Sequence, residues 1–255
     1  SLWDVGDGVA CLEIHTKMNA IDADVVAMIG QAARLHEQGW KALIVGNDAD
    51  NFSVGANVGL ALFAANAAMW PMLEQGVKAG QDAMMALKYS ALPVVAAPAG
   101  MALGGGCEIV LHADAVEAHA ESYVGLVEVG VGIIPAWGGS KELTMRAALN
   151  KKRPAGPMPP VGQAFETIST ARVARSAAEA RDLLFLRPDD GITPNRNRVL
   201  ANAKARALAL VEGYQPPEPA EIVLPGAPGR AAVDLVVEGF VLQGKATAYD
   251  RVVAS

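Results

Sequence analysis

Apolar and polar positions in the first part of the chain alternate in patterns that predict short strands and an amphipathic helix. Residues 2–14 have the pattern of two short strands on either side of Gly6-Asp7-Gly8, which is a hairpin signal. Apolar side chains then recur with a helical period over residues 19–38, and Gly39 is suited to end that helix. The short apolar run over residues 42–45 is typical of a strand buried in a parallel sheet.

The next section repeats this order of helix and strand on a longer scale. The pattern over residues 58–90 is mostly helical, and Pro71, Gly76 and Gly80 are the points where we expect the helix to kink or break. A β-like run over residues 94–97 follows and leads into three consecutive glycines. Helices that connect buried strands in this way predict an α/β fold built on parallel crossovers.

The second half of the chain is predicted to be mainly helical. Its elements are a basic, proline-rich loop over residues 151–160, a helix over 176–183, a short strand over 184–186, a helix over 196–211, a proline-rich connector over 215–229 and a helix over 231–254. The last helix has more apolar surface than a lone helix should expose, so it needs a partner. We expect a core domain over residues 1–190 and a helical C-terminal region over 191–255. The start without methionine and the helical end suggest a fragment of a longer protein.

Composition excludes several classes of function. A chain of 255 residues with 52% hydrophobic residues can bury a full core, and its formal net charge of -6 provides no basic surface for nucleic acid. No apolar run is long enough to span a membrane. Cys11 and Cys107 are too few for a disulfide framework, so we expect a reducing compartment, the cytoplasm.

A strand, a glycine turn and a helix occur in this order twice, over residues 45–57 and 95–108. Parallel crossovers of this kind place helix N-termini at the same edge of a sheet. The N–H groups of Ala56 and Gly105 are therefore expected to point at one ligand atom. Two such donors make an oxyanion hole.

Two carboxylates accompany these donors. Glu108 lies just inside the helix that follows the glycines, and Glu128 lies in an otherwise apolar run where an ionisable group must be paired or used. Together with a backbone donor they indicate acid–base chemistry on a carbonyl compound. The residues alone also allow structural roles: the helix dipole favours a carboxylate at Glu108, and Glu128 could form a salt bridge at the end of a strand.

Two other side chains near this stretch favour structural interpretations. No histidine is placed beside Cys107 by the sequence, so we expect a small packing residue rather than a nucleophile. His112 follows Glu108 by four residues, but two ligands without a third make a weak metal site. We predict no metal. Residues 138–141 lack the spacing of a phosphate-binding loop and have the pattern of a turn before the next helix.

Three ordered segments resemble one known family, the crotonase (enoyl-CoA hydratase/isomerase) superfamily. They are residues 52–56 (FSVGA), 102–108 (ALGGGCE) and 128–139 (EVGVGIIPAWGG). The resemblance covers roughly residues 3–186. It implies an α/β spiral of ββα units with a helical C-terminal region, assembly into trimers or hexamers, and binding of acyl-CoA thioesters.

The resemblance also implies roles for single residues. The N–H groups of Ala56 and Gly105 would hold the thioester oxygen, Glu108 would activate water, and Glu128 would exchange a proton with the α-carbon. The substrate would contact a further set of residues: Ala20, Val54, Gly55, Asn57, Gly104 and Trp137. The sequence departs from the family at residues 15–20, which are atypical apart from Asn19-Ala20, at Asn57, where aspartate is common, and at Trp137, which replaces a small residue.

These roles imply hydration of trans-2-enoyl-CoA in fatty-acid β-oxidation. A Δ3,Δ2-enoyl-CoA isomerase and a non-catalytic acyl-CoA-binding module are the alternatives. Residues 52–63 and 127–132 further resemble the hydratase portion of bifunctional bacterial proteins that also carry a 3-hydroxyacyl-CoA dehydrogenase. No dinucleotide-binding fingerprint is present in this sequence, so we expect no cofactor here beyond the coenzyme A of the substrate, with NAD confined to an absent portion. That portion is a possible docking partner.

Overall fold

The computed structural model describes residues 1–152 and 154–254. In these ranges the strands are β1 (Leu2–Asp4), β2 (Val9–Leu12), β3 (Ala42–Gly46), β4 (Val94–Ala97), β5 (Met101–Leu103), β6 (Ala115–His119), β7 (Tyr123–Gly125), β8 (Val173–Ala174) and β9 (Gly191–Thr193). The helices there are α1 (Ala23–Ala32), α2 (Val58–Asn66), α3 (Trp70–Lys88), α4 (Gly105–His112), α5 (Gly139–Leu149), α6 (Met158–Ser169), α7 (Ala177–Asp182), α8 (Val199–Val211), α9 (Ala227–Leu242) and α10 (Ala248–Ala254).

A six-stranded sheet in the order β1-β2-β3-β4-β6-β9 forms the centre of the fold. β1 and β2 are an antiparallel hairpin, and the strands from β2 onward pair in parallel. Every residue of β2, β3 and β4 is buried, because helices cover both faces of the sheet. This confirms the predicted hairpin over residues 2–14 and the predicted buried strand over 42–45.

A smaller sheet in the order β5-β7-β8 lies beside the large one and joins the two glycine segments. Ser53 and Ala102 form a parallel bridge, in which Ser53 N–H donates to Met101 O (3.0 Å) and Leu103 N–H donates to Ser53 O (2.9 Å). These hydrogen bonds hold the chain before α2 against the chain before α4. The two predicted donor segments are therefore neighbours, in a mixed α/β fold with helices at its C-terminal end.

The helix predicted over residues 19–38 is interrupted. Residues 17–19 form a 3-10 turn, α1 starts after Asp22, whose side chain accepts a hydrogen bond from Val25 N–H (2.9 Å), and a second 3-10 turn follows at residues 35–38. Ile21 N–H donates to Gly55 O (2.8 Å), which keeps residues 20–22 extended. Gly39 ends the second turn in the left-handed conformation, as predicted.

The long helix predicted over residues 58–90 divides at residues 67–69, and not at the predicted glycines. Pro71 lies in the first turn of α3. A backbone N–H at that position would have no acceptor within the helix, so proline costs the helix no hydrogen bond. Gly76 and Gly80 lie inside α3 without breaking it. The prediction was therefore confirmed for a break beside Pro71 and wrong for Gly76 and Gly80.

The C-terminal half differs from the predictions at three places. Residues 184–186 form a turn instead of a strand, in which Leu184 has a φ of +65° and the Arg146 guanidinium donates to Leu184 O (3.3 Å) and Phe185 O (2.6 Å). α6 starts within the predicted 151–160 loop, with prolines in its first turn, and Arg153 of that loop lies outside the described residues. The helix predicted over 231–254 is two helices, α9 and α10, separated by residues 243–247.

Two other C-terminal predictions concern helix α8 and the domain boundary. The helix predicted over residues 196–211 is confirmed as a 3-10 turn followed by α8. β9 pairs with β6, and α8 packs on the face of the large sheet. The boundary at residue 190 thus falls just before elements that complete this sheet, and the division into domains stays a prediction. In the described ranges, no helix is both long and apolar enough to cross a membrane.

Candidate active site

Glu108 is held at the first turn of α4 by two backbone amides from a distant segment. Its Oε1 accepts hydrogen bonds from Trp137 N–H (2.9 Å) and Gly139 N–H (2.8 Å), and the residue is 2% exposed. Gly138 precedes α5 in the left-handed conformation and turns the chain so that both amides point at the carboxylate. The other carboxylate oxygen of Glu108, Oε2, accepts no hydrogen bond from these two amides.

Glu128 lies opposite, in a 3-10 turn over residues 128–131 that follows β7. A Cβ added at Gly104 would lie 3.2 Å from Glu128 Oε1, so this carboxylate lies against the backbone that starts α4. Its Oε2 is buried and has no hydrogen-bond partner among the described residues. Both predicted carboxylates are therefore at the N-terminus of α4.

Burial raises the pKa of both carboxyl groups. Loss of solvation is the main cause for Glu108 and the negative charge of Glu128 is the second, and together they raise the pKa of Glu108 to about 8 against the two amide hydrogen bonds that lower it. The pKa of Glu128 is also raised, mainly by burial. Two such carboxyl groups titrate as a pair, so at neutral pH the pair keeps one proton.

The two predicted amide donors lie close to each other and have no acceptor in the described part of the chain. Gly55 makes this possible, because a Cβ added there would lie 2.9 Å from Gly105 N and 2.9 Å from Leu103 O. Gly55 also has a φ of +89°, which L side chains rarely adopt. The N–H groups of Ala56 and Gly105 are thus available to a ligand atom.

The residues predicted to contact substrate surround this point to different degrees. Val54 and Gly55 flank the Ala56 amide, and Asn57 caps α2, since its Oδ1 accepts hydrogen bonds from Gly59 N–H (3.1 Å) and Leu60 N–H (3.4 Å). Ala20 follows the first 3-10 turn and precedes Ile21, which is bridged to Ala56. Asn57 therefore has a structural role here that the sequence analysis did not assign.

Trp137 is the largest side chain at the site. A Cβ added at Gly105 would lie 2.7 Å from its ring atom Cζ3, and one added at Gly80 of α3 would overlap its indole nitrogen. The indole is therefore packed between the start of α4 and the middle of α3. Gly80 is required for this close approach, which explains a glycine in the interior of a helix.

Cys107 and His112 occupy structural positions. The Cys107 thiol is buried and its pKa is raised, mainly by burial, so it is not an activated nucleophile. His112 Nδ1 lies 2.7 Å from the backbone oxygen of Glu108, and burial lowers the His112 pKa to about 4, so the imidazole is neutral. Among the described residues, no group of three or more His, Cys, Asp or Glu side chains could hold a metal ion.

Sequence reasoning missed the residues that hold Glu108 in place. The amides of Trp137 and Gly139 lie 29 and 31 residues from Glu108 in sequence. The sequence signal for these amides was the Gly138-Gly139 pair. That pair predicts a turn before a helix, but it does not predict that the amides of the turn bind the Glu108 carboxylate. A buried ion pair between Lys88 of α3 and Glu142 of α5 (2.6 Å) fixes α5 from the other side.

Comparisons with known proteins identify the family of the chain. The family model for enoyl-CoA hydratase/isomerase matches residues 4–153. The "Probable 3-hydroxyacyl-CoA dehydrogenase" of Bacillus subtilis is 41% identical over 255 residues, which is all of this chain and 32% of that protein. The chain spans a third or less of the length of the curated relatives that it matches.

Solved structures agree on the fold. Enoyl-CoA hydratase from Bacillus anthracis matches with a TM-score of 0.66 and 22% identity, covering all of this chain and 91% of that one. An enoyl-CoA hydratase from Polaromonas matches with a TM-score of 0.69 and 20% identity, covering 82% of this chain and 76% of that one. With the family model matching more than half of its length, the chain belongs to the enoyl-CoA hydratase/isomerase family and has the crotonase fold.

Proposed function

We propose that this chain hydrates trans-2-enoyl-CoA thioesters to 3-hydroxyacyl-CoA in fatty-acid β-oxidation. The observation that carries the proposal is the pair of buried carboxyl groups, Glu108 and Glu128, beside the unpartnered amides of Ala56 and Gly105. Hydration needs one group that takes a proton from water and one that gives a proton to C2. A Δ3,Δ2-isomerase needs only one such group, so the second carboxyl favours hydration.

The two amides would stabilise the negative charge that develops on the thioester oxygen. Addition of water to C3 of the conjugated double bond moves electrons toward that oxygen and forms an enolate. A single donor to such an oxyanion contributes about 3 kcal/mol to transition-state stabilisation. The Gly105 amide has the added benefit of the positive end of the α4 dipole.

The carboxyl groups would divide the proton transfers according to their hydrogen bonds. Amides of Trp137 and Gly139 favour negative charge on Glu108, whose free Oε2 can accept the proton from water. Burial raises the pKa of Glu128, which favours its protonated form and donation to C2. Glu108 gains one proton and Glu128 loses one, so the pair still holds one proton, which returns from Glu108 to Glu128 before the next turnover.

The reaction product suggests the wider setting. A 3-hydroxyacyl-CoA is the substrate of a 3-hydroxyacyl-CoA dehydrogenase, and the relative from Bacillus subtilis has that name and is longer than this chain. We propose that this hydratase acts together with such a dehydrogenase, which would supply the NAD site. The substrate contacts of Ala20, Val54, Gly55, Gly104 and Trp137, assembly into trimers or hexamers, and a cytoplasmic location are parts of the same proposal.

Loss of the conjugated thioester absorbance of crotonyl-CoA tests the proposal. We expect the folded chain to consume the double bond and to form 3-hydroxybutyryl-CoA, identified by mass. Conversion of a 3-enoyl-CoA without any addition of water would select the isomerase instead. Binding of acyl-CoA without any turnover would select the non-catalytic module.

The pH dependence of hydration provides a second prediction. Because the paired carboxyls must share one proton, and the pKa of Glu108 is raised to about 8, we expect kcat/KM to fall about tenfold per pH unit above pH 8. Circular dichroism over the same range provides the control for folding. A rate that stays constant to pH 9.5 in the folded protein would contradict the shared-proton arrangement.

A further inference from the structure

Ser53 lies beside the segment that bears the Ala56 amide, and it is fully buried. Its hydroxyl donates a hydrogen bond to Asn19 O (2.7 Å) and accepts one from Gly55 N–H (3.2 Å). Asn19 belongs to the 3-10 turn that precedes α1, and Gly55 is the residue before Ala56. The Ser53 hydroxyl therefore attaches that turn to the chain just before the predicted donor.

The peptide that bears the Ala56 N–H is held by the same neighbouring segment. This peptide joins Gly55 to Ala56, so its oxygen is Gly55 O, which accepts a hydrogen bond from Ile21 N–H (2.8 Å). In a planar trans peptide the C=O and N–H groups point in opposite directions, so the direction of Gly55 O also sets the direction of the Ala56 N–H. Residues 19–21 thus contact this segment twice, once through the Ser53 hydroxyl and once through Gly55 O.

The backbone of Ser53 is fixed against the second donor segment. Its N–H and C=O groups both form hydrogen bonds with β5, which leads directly into α4. Gly106 of α4 also packs closely on Ser53, because a Cβ added at Gly106 would lie 2.9 Å from Ser53 Cβ. Any movement of Gly55 relative to Ser53 therefore changes the position of one donor amide relative to the other, and the hydrogen bond from Gly55 N–H to the Ser53 hydroxyl opposes that movement.

We propose that Ser53 is a positioning residue whose hydroxyl orients the Ala56 N–H toward the thioester oxygen. The inference rests on the proposed function, because that oxygen is the proposed ligand of the two amides. Without the hydroxyl, Gly55 N–H and Asn19 O each lose a buried hydrogen-bond partner, and the peptide before Ala56 is free to rotate.

Ser53→Ala is expected to lower kcat for crotonyl-CoA about tenfold, which is less than the 10² to 10³-fold loss that follows removal of a whole oxyanion donor. We expect KM to change by less than about twofold, because the amides act mainly on the transition state. A variant that only weakened the fold would lower the fraction of active protein, and it would not shift the spectroscopic signal of the bound thioester described below.

Ser90→Ala is the matched control. Ser90 is also buried, and its hydroxyl donates to Ala33 O (2.8 Å) and accepts from Leu92 N–H (3.2 Å), which is the same pair of hydrogen bonds that Ser53 makes. Ser90 precedes β4, whereas the glycine segment of the site follows that strand. Both variants lose the same chemical group from the same kind of contact, and only Ser53→Ala should lower kcat.

The carbonyl stretching frequency of bound butyryl-CoA provides a measurement that does not depend on turnover. This saturated thioester has no double bond to hydrate, and an isotope label at its carbonyl carbon separates the vibration from those of the protein. Hydrogen bonds from the two amides lower the frequency. We expect Ser53→Ala to move it toward the value of free butyryl-CoA and Ser90→Ala to leave it at the parent's value, with circular dichroism as the control for folding.

The other outcomes separate this inference from the proposed function. A folded Ser53→Ala variant with the parent's kcat and carbonyl frequency overturns the inference and leaves the proposed function intact. Equal losses in both variants also overturn it, because the effect then belongs to any buried hydroxyl. If the parent hydrates no thioester but Ser53→Ala alone moves the frequency, the proposed function fails and the inference stands. If Ser53→Ala does not fold, Ser53→Cys is compared with Ser90→Cys, since a thiol is a weaker donor and acceptor at the same place.

Discussion

Glu108→Gln and Glu128→Gln are each expected to lower kcat/KM for crotonyl-CoA by at least about a hundredfold, which is the smallest effect typical of a positioned acid or base. Glutamine keeps the size of the side chain and the acceptor oxygen that binds the amides of Trp137 and Gly139. It cannot take a proton from water or give one to C2. The measurement is the initial rate of loss of the conjugated absorbance.

The free energy of unfolding, measured as a function of pH, is the control that shows whether these variants fold. The folded pair of Glu108 and Glu128 keeps one proton up to about pH 8, whereas unfolding returns both groups to their ordinary pKa of 4.5 and releases that proton, so the pair makes the protein less stable as pH rises through that window. Glutamine never ionises and removes this loss. We therefore expect Glu108→Gln to be more stable than the parent at pH 8 to 9, by several kcal/mol in the free energy of unfolding.

A matched substitution separates chemistry from a general effect of charge. Glu121→Gln makes the same change at an exposed position between β6 and β7, and its rate should stay within twofold of the parent. A folded Glu108→Gln variant with the parent's rate would remove Glu108 from the mechanism. Loss only in Glu128→Gln would instead favour the single-acid isomerase.

Local sequence was sufficient to predict the two glycine turns that bear the site, but not β5 or the 3-10 turn that carries Glu128. The glycines at 104–106 lie where β5 passes to α4, and Gly55 precedes α2, so a strand-to-helix turn was predictable in both places. Parallel crossovers also predict that such turns share an edge of the sheet. The structure reaches this arrangement by another route, because the strand before Gly105 is β5 of the smaller sheet and not the predicted strand over 94–97, and the bridge between Ser53 and Ala102 joins the two segments.

The contacts that tune the site were not predictable, because they join residues far apart in sequence. Gly80 has the local pattern of a weak point in a helix, yet Trp137 packs against it from 57 residues away. Glu108 alone has the features of an ordinary carboxylate in a first turn, and its raised pKa depends on burial and on Glu128. Tertiary packing, not local propensity, decides both.

Gly55→Ala is expected to lower kcat/KM by about 10² to 10³-fold, the loss measured elsewhere for one oxyanion donor. The added Cβ would lie 2.9 Å from Gly105 N and 2.9 Å from Leu103 O, closer than packed atoms allow. The segments before α2 and α4 must therefore separate, and the amides of Ala56 and Gly105 can no longer reach one oxygen. Because the amides act on the transition state, we expect the loss mainly in kcat rather than KM.

Gly39→Ala is the matched control for this substitution. Gly39 has a φ of +85°, close to the +89° of Gly55, but a Cβ added there meets nothing within 4 Å. Both substitutions therefore place alanine in the left-handed region of φ and ψ, which lowers the free energy of unfolding by about 1 kcal/mol. Only Gly55→Ala adds the clash at the site. Parent-like hydration by a folded Gly55→Ala variant would contradict the two-amide oxyanion hole, whereas equal losses in both variants would trace the effect to backbone strain alone.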